Sequence, residues 1–215
     1  MNMTSAFMAG SMDLWQQLAQ FFLFAVLAAF AQNAIFSRSL GVSRLFALVS
    51  EPSLNTVLFC GLLAAVQLIC APLSWLYAEY LYVYVPSQLL APLRPAVYLL
   101  CSVIALLVVE LFLSFFPAAR RAELRALLPL AALNCCVLGT MLITGGQHYT
   151  LVQSLAFAFG SAVGYILAVA LVSEAQRSLK NSEIPEAFKG LPVTLIYIGI
   201  LALAIYSATG HMLSV

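Results

Sequence analysis

Six apolar stretches dominate this sequence, at about 14–36, 54–74, 95–116, 126–144, 150–173 and 191–209. Each approaches the roughly 20 mostly apolar residues that a helix needs to cross a hydrocarbon layer about 30 Å thick. Repeated at this length, they predict an all-α membrane protein of six transmembrane helices, because in lipid a helix satisfies its own backbone hydrogen bonds. The composition agrees, with 64% of the 215 residues hydrophobic and 8% charged, where soluble domains carry roughly a quarter charged residues. A net charge of +1 gives no electrostatic footprint for nucleic acid or an acidic substrate. No positive n-region precedes the first apolar run and no A-x-A site follows it, so that run is expected to be a retained span.

The basic residues fall unevenly around these spans. Arg38 and Arg44 follow the first, Arg120, Arg121 and Arg125 the third, and Arg177, Lys180 and Lys189 the fifth, which leaves Arg94 elsewhere. Eight of nine positive charges therefore lie in connections on one side, expected to be the cytoplasm, and both termini then lie outside. The aromatic stretch Trp75 to Tyr84, with Tyr77, Tyr80 and Tyr82, is expected along the outer headgroup layer. The chain is expected to be one polytopic membrane domain, 1–215. Within it, inverted three-helix repeats at about 14–116 and 126–209 would each hold a polar, glycine-containing segment, 33–44 and 134–139.

The fourth span is the shortest and contains Pro129, Asn134 and Gly139, which predicts a broken or half-length helix. Its run LPLAALNCCVLG, 128–139, sets Cys135 and Cys136 beside an amide and a glycine. Thiolates are the ligands of iron–sulfur clusters, whereas buried cysteine also serves as a small apolar residue. The other cysteines, Cys60, Cys70 and Cys101, also sit in apolar segments, and the odd total without any CxxC makes a poor disulfide framework. A second polar run, NAIFSRSLGVSR at 33–44, groups Asn33, Ser37, Ser39 and Ser43 around Gly41, between Arg38 and Arg44. Its simplest reading is a cytoplasmic helix end with positive anchors.

Together these runs resemble the two signatures of the Rnf A-type and sodium-translocating NADH:quinone reductase E-type (RnfA/NqrE-type) membrane subunits. In that family an Asn-containing helix end leads to Leu-Gly-Leu-Cys-Pro, and Leu-Pro-Leu precedes Asn-Cys-x-Val-Leu-Gly. The similarity continues through LICAPL at 68–73, Leu93-Arg94, Glu110 and EIPEAFKG at 183–190. It implies a bacterial inner-membrane subunit of an ion-translocating electron-transport complex, paired in opposite orientation with a sister RnfE/NqrD-type subunit. Each partner would lend two cysteines to one shared [2Fe-2S] cluster. Carried over, Cys135 matches the second-signature ligand, but Ser43 stands where the first-signature cysteine would be, and Arg44 replaces the following proline. Cys136 as a replacement ligand, compensation by the partner, and loss of the cluster are all open at this point.

Glu110, near the end of the third span, is a candidate for a cation path, because an intramembrane acid is costly unless paired or hydrated. The alternative is a structural pair with Arg120 or Arg121. His148 and His211 stand alone and suggest no metal site. The alternating charges from Glu174 to Lys189 read as a solvated surface. Two functions follow, a redox subunit that relays electrons and couples them to Na⁺ or H⁺ movement, and a transport or scaffold relative without the cluster. No Ser–His–acid set, paired catalytic carboxylates or phosphate loop points to a freestanding enzyme.

Overall fold

A computed structural model describes residues 3–50, 55–81, 87–115, 117–179, 185 and 188–209. Tyr82, Tyr84, Lys180, His211 and four positions of the 183–190 segment (183, 184, 186 and 187) lie outside the described residues. Every regular element among the described residues is helical. These are α1 (Met3–Val26, prolonged by a π-helical turn Leu27–Ala31), α2 (Val42–Ser50), α3 (Thr56–Leu76, prolonged by a π-helical turn Tyr77–Leu81), α4 (Ser87–Leu113), α5 (Ala118–Ala132), α6 (Cys135–Gly146), α7 (Leu151–Leu179) and α8 (Leu191–Thr209). Five helices are long and apolar enough to cross a membrane, and α5 with α6 makes a sixth crossing bent by 46°. The break expected in the fourth apolar stretch is therefore present. Pro129 lacks an N–H and the chain leaves the helix at Leu133, after which Asn134 starts α6 by accepting from the Cys136 N–H at 2.9 Å.

The central helix is α7, flanked by α3 and α1, with α5, α6 and α4 completing the bundle and α8 at its edge. Apolar side chains from Ala34 to Ile198, aromatic and cysteine residues among them, form one continuous core. Along α1 and α7, which run parallel, two glycines remove the spacing that side chains would impose. A Cβ on Gly160 would stand 2.1 Å from the Ala25 carbonyl oxygen, and one on Gly164 2.9 Å from that of Ala29. Between apolar helices in lipid, close backbone approach of this kind supplies the packing attraction. At the far end of α7, the Gln176 amide donates to the Thr194 hydroxyl of α8 at 3.0 Å.

Two sequence expectations are corrected here. The described part of the stretch from Trp75 is helical and not a connecting loop. Helix α3 continues through Leu81, and Tyr77 points inward, edge-on to the Tyr98 ring at 5.5 Å. The larger correction concerns 33–44, which is no solvated helix end. Asn33, Ala34, Ile35 and Phe36 are all buried, and the Asn33 amide donates to the Gly164 carbonyl at 3.1 Å. Gly164 stands 13 residues after Leu151 and 15 before Leu179, so this segment sits at half-height of the bundle. Arg38 and Arg44, counted above with one membrane surface, belong to the exposed remainder of this segment. The first crossing is thus also broken, with α1 reaching half-height and α2, about 13 Å long at 1.5 Å per residue, continuing toward the start of α3.

Candidate functional site

Non-helical backbone within an apolar bundle needs partners for its N–H and C=O groups, and Asn33 provides several. Its Oδ1 accepts from the N–H groups of Ile35 at 2.9 Å and Phe36 at 3.2 Å, while Nδ2 donates to the carbonyls of Ala29 at 2.8 Å and Gly164. Above it, the Gln32 N–H reaches the Leu27 carbonyl at 2.8 Å and closes the π-helical turn. The chain then turns through Ser39 and Gly41, with φ of 55° and 78°, before α2 begins. Glycine is required at the second of these for a further reason, since a Cβ there would stand 2.8 Å from Asn134 Oδ1 and 3.3 Å from the Tyr165 ring. Next to it, Leu40 lies so close to Gly139 that a Cβ would meet its Cδ1 at 2.3 Å.

The two polar runs therefore meet. The start of α2 and the start of α6 lie against each other at half-height, beside Tyr165 of α7, and from there the two helices run toward opposite ends of the bundle. The dipoles of both helices favour negative charge at the junction. Ser43 in the first turn of α2 and Cys135 at the first position of α6 are both exposed on this junction.

Cys136 faces the other way. Consecutive helical residues point about 100° apart, and while Cys135 is exposed, Cys136 is fully buried between α3 and α7. The Gln67 side-chain amide lies 3.2 Å from its Sγ, 3.3 Å from the Thr140 hydroxyl and 3.3 Å from the Ser161 hydroxyl. Those two hydroxyls are 3.0 Å apart, and Thr140 also donates to the Cys136 carbonyl at 2.8 Å. Gln67 Oε1 has no partner within this buried cluster. Sequence reasoning missed the cluster, although a glutamine in the middle of the second apolar stretch was its signal.

Glu110 is remote from the junction, at the arginine-rich end. Its Oε1 lies 2.5 Å from Arg125 Nε of α5, with about a third of the glutamate side chain and half of the arginine side chain exposed. The partner is Arg125 and neither Arg120 nor Arg121, because Arg125 is one turn further along α5 and faces α4. Arg121 instead donates to the Ser114 carbonyl. Among the described residues no three His, Cys, Asp or Glu side chains gather as a metal site.

Residues 21–212 match the family model described as Rnf-Nqr subunit, membrane protein. The chain belongs to the Rnf-Nqr family. This Rnf-Nqr chain is accordingly a multi-pass membrane protein. It is 44% identical over 88 residues to the A-type subunit of the ion-translocating oxidoreductase complex of Syntrophotalea carbinolica, covering 41% of this chain and 46% of that one. It is also 37% identical over 83 residues to the E-type subunit of the Na(+)-translocating NADH-quinone reductase of Maridesulfovibrio salexigens, covering 39% and 41%. A third relative, the E-type subunit of the corresponding reductase of Marinobacter nauticus, is 36% identical over 89 residues, covering 41% and 44%. The matched stretch thus spans less than half the length of each of these curated relatives.

Proposed function

We propose that this chain is a membrane subunit of an ion-translocating oxidoreductase complex, and that it meets a sister subunit of the RnfE/NqrD type at the half-height junction. The observation that carries this is the exposure of Cys135 where two half-helices begin. A thiol at a helix start, in the middle of an apolar bundle, faces the surface on which a second membrane chain would pack. Family membership and the names of the relatives support the assignment to a complex.

For a [2Fe-2S] cluster the donor set fits a contribution of one thiolate, and not the two that the resemblance implies. Cys135 is exposed at the first position of α6. Ser43 offers a hydroxyl oxygen, a poorer iron ligand. Cys136 is turned into the Gln67–Thr140–Ser161 cluster and would have to leave three neighbours to reach the same face. A bound cluster would supply one-electron transfer at mid-depth, with Cys135 as this chain's ligand and the remaining ligands from the sister subunit. What the chain itself does there is orient one thiol, exclude water by close packing of Gly41 on Asn134, and direct two helix dipoles at the site.

The replacement of a cysteine by Ser43, with Arg44 beside it, favours a second reading, a family member that retains the fold and the partner but holds no cluster. Iron and acid-labile sulfide in the purified complex decide between them. On the first reading both are present and are lost in Cys135→Ala with the subunits still assembled. An intact complex without iron leaves the second.

Arg120, Arg121, Arg125, Arg177 and Lys189 still gather at one end of the bundle after Arg38 and Arg44 are removed from the count, which supports a cytoplasmic location for that end and both termini outside, in a bacterial inner membrane. Coupling to Na⁺ or H⁺ movement belongs to the complex in this proposal, and Glu110 is this chain's candidate residue for an ion path.

A further inference from the structure

The surface around Cys135 carries two charges that lipid does not accommodate. Arg38 and Arg44 are exposed, with Ser37, Ser39 and Ser43 beside them, on the broken segment whose height is fixed by Asn33 on Gly164 and Gly41 on Tyr165. Among the described residues no carboxylate pairs with either arginine. Glu110 is held by Arg125 at the arginine-rich end, Glu123 and Glu174 lie toward that same end on α5 and α7, and Glu79 follows α3 at the opposite end. The charge of Arg38 opposes the upward push that burial gives the Tyr149 phenol. A neutral phenol offers no counter-charge. Arginines near helix ends can extend to the interface, but from here half of a layer about 30 Å thick must be crossed.

We infer that this face seats a transmembrane segment of a partner chain that presents an ionised carboxylate at the same depth, opposite Arg38 and Arg44. Intramembrane cations are found facing a bundle interior and paired, and complementary charge across an interface fixes which partner docks and in what register. The three serines provide neutral hydroxyls around the pair, and Cys135 lies within the same covered surface. The inference rests on the reading of this chain as one subunit of an assembly, and adds the chemistry of the surface that meets it.

The test uses the full chain in the membranes of cells that make the whole complex, with p-benzoylphenylalanine in place of Leu133. That residue is 49% exposed beside Cys135 and carries no role in the junction's hydrogen bonds. Illumination is expected to attach a membrane-spanning peptide with an Asp or Glu within one turn of the linkage, as read by mass spectrometry. Adding Arg44→Glu should reduce that product at least tenfold, Arg44→Lys should retain most of it, and Arg44→Glu with the partner acid changed to Arg should recover it. Attachment to lipid alone, to a peptide without an acid in reach, or an undiminished yield in Arg44→Glu overturns the inference. An iron-free complex that still gives the acidic peptide would remove the cluster reading and leave this one standing.

Discussion

Replacing Gly160 by alanine adds one methyl group where α1 touches α7, and the structure fixes what that methyl meets. Its carbon would lie 2.1 Å from the Ala25 carbonyl oxygen, 2.7 Å from the Ala25 Cα and 2.8 Å from the carbonyl carbon. All three are backbone atoms, so no rotamer change relieves them, and the helices must move apart by about 1 Å or more to restore ordinary carbon–oxygen contact distances. Overpacking of this sort costs about 1–3 kcal/mol. The displacement also stretches the 3.1 Å bond from Asn33 to Gly164, and a buried amide left without it adds about 1–3 kcal/mol. At about 2–4 °C per kcal/mol for a chain of this size, Gly160→Ala should melt roughly 4–24 °C lower in detergent. The control is Gly199→Ala in α8, where nothing lies within 4 Å of the new carbon and alanine should gain about 0.5–1 kcal/mol from helix propensity. Equal melting temperatures for the two variants would refute the contact between α1 and α7 as described.

Cys135 should react with a maleimide in the folded detergent-solubilised chain, while Cys136 should react at least about tenfold more slowly, since it needs local opening; mass spectrometry of labelled peptides reads both. The Glu110–Arg125 pair is partly exposed, so a double-mutant cycle should return a coupling of about 1 kcal/mol or less. A role for Glu110 in ion passage requires Glu110→Gln to lower transport by the whole complex in vesicles while its melting temperature stays within about 2 °C. Gly41→Ala should destabilise by about 2–4 kcal/mol in denaturant titration, because strain at positive φ and the clash with Asn134 Oδ1 add. Gln67→Leu should cost no more than about 1.5 kcal/mol in the same assay, since the Thr140 and Ser161 hydroxyls keep each other and one orphaned carbonyl is removed.

The crossings were legible because apolar runs of bilayer length have few other uses, and the break before Cys135 was legible because Pro129 removes a backbone donor and Asn134 caps a helix start, whereas Gly139 lies within α6. The break in the first crossing was read differently for a physical reason. Asn33, Arg38 and Arg44 are the residue types that anchor a helix end in headgroups, and their true height is set by hydrogen bonds to Gly164, 131 residues away. Local pattern carries no such information. The difference between Cys135 and Cys136 was hidden likewise, since two adjacent residues must face different ways but only the packing of Gln67 and Ser161 decides which is inside. The glycines at 160 and 164 looked ordinary until their neighbour on α1 was known.

The height of the 33–44 segment is the claim on which the reading of the junction, the exposed thiol and the exposed arginines depends. A nitroxide on Cys at position 37, in a Ser37→Cys, Cys135→Ser chain reconstituted in nanodiscs, measures it, because Cys60, Cys70, Cys101 and Cys136 are buried from the labelling reagent. Paramagnetic relaxation by oxygen against a water-soluble nickel chelate should return a depth near the bilayer centre, matching a label on native Cys135. A label at position 37 as open to the chelate as one on Ser178→Cys, in the last turn of α7, would put the segment at the membrane surface and contradict the account.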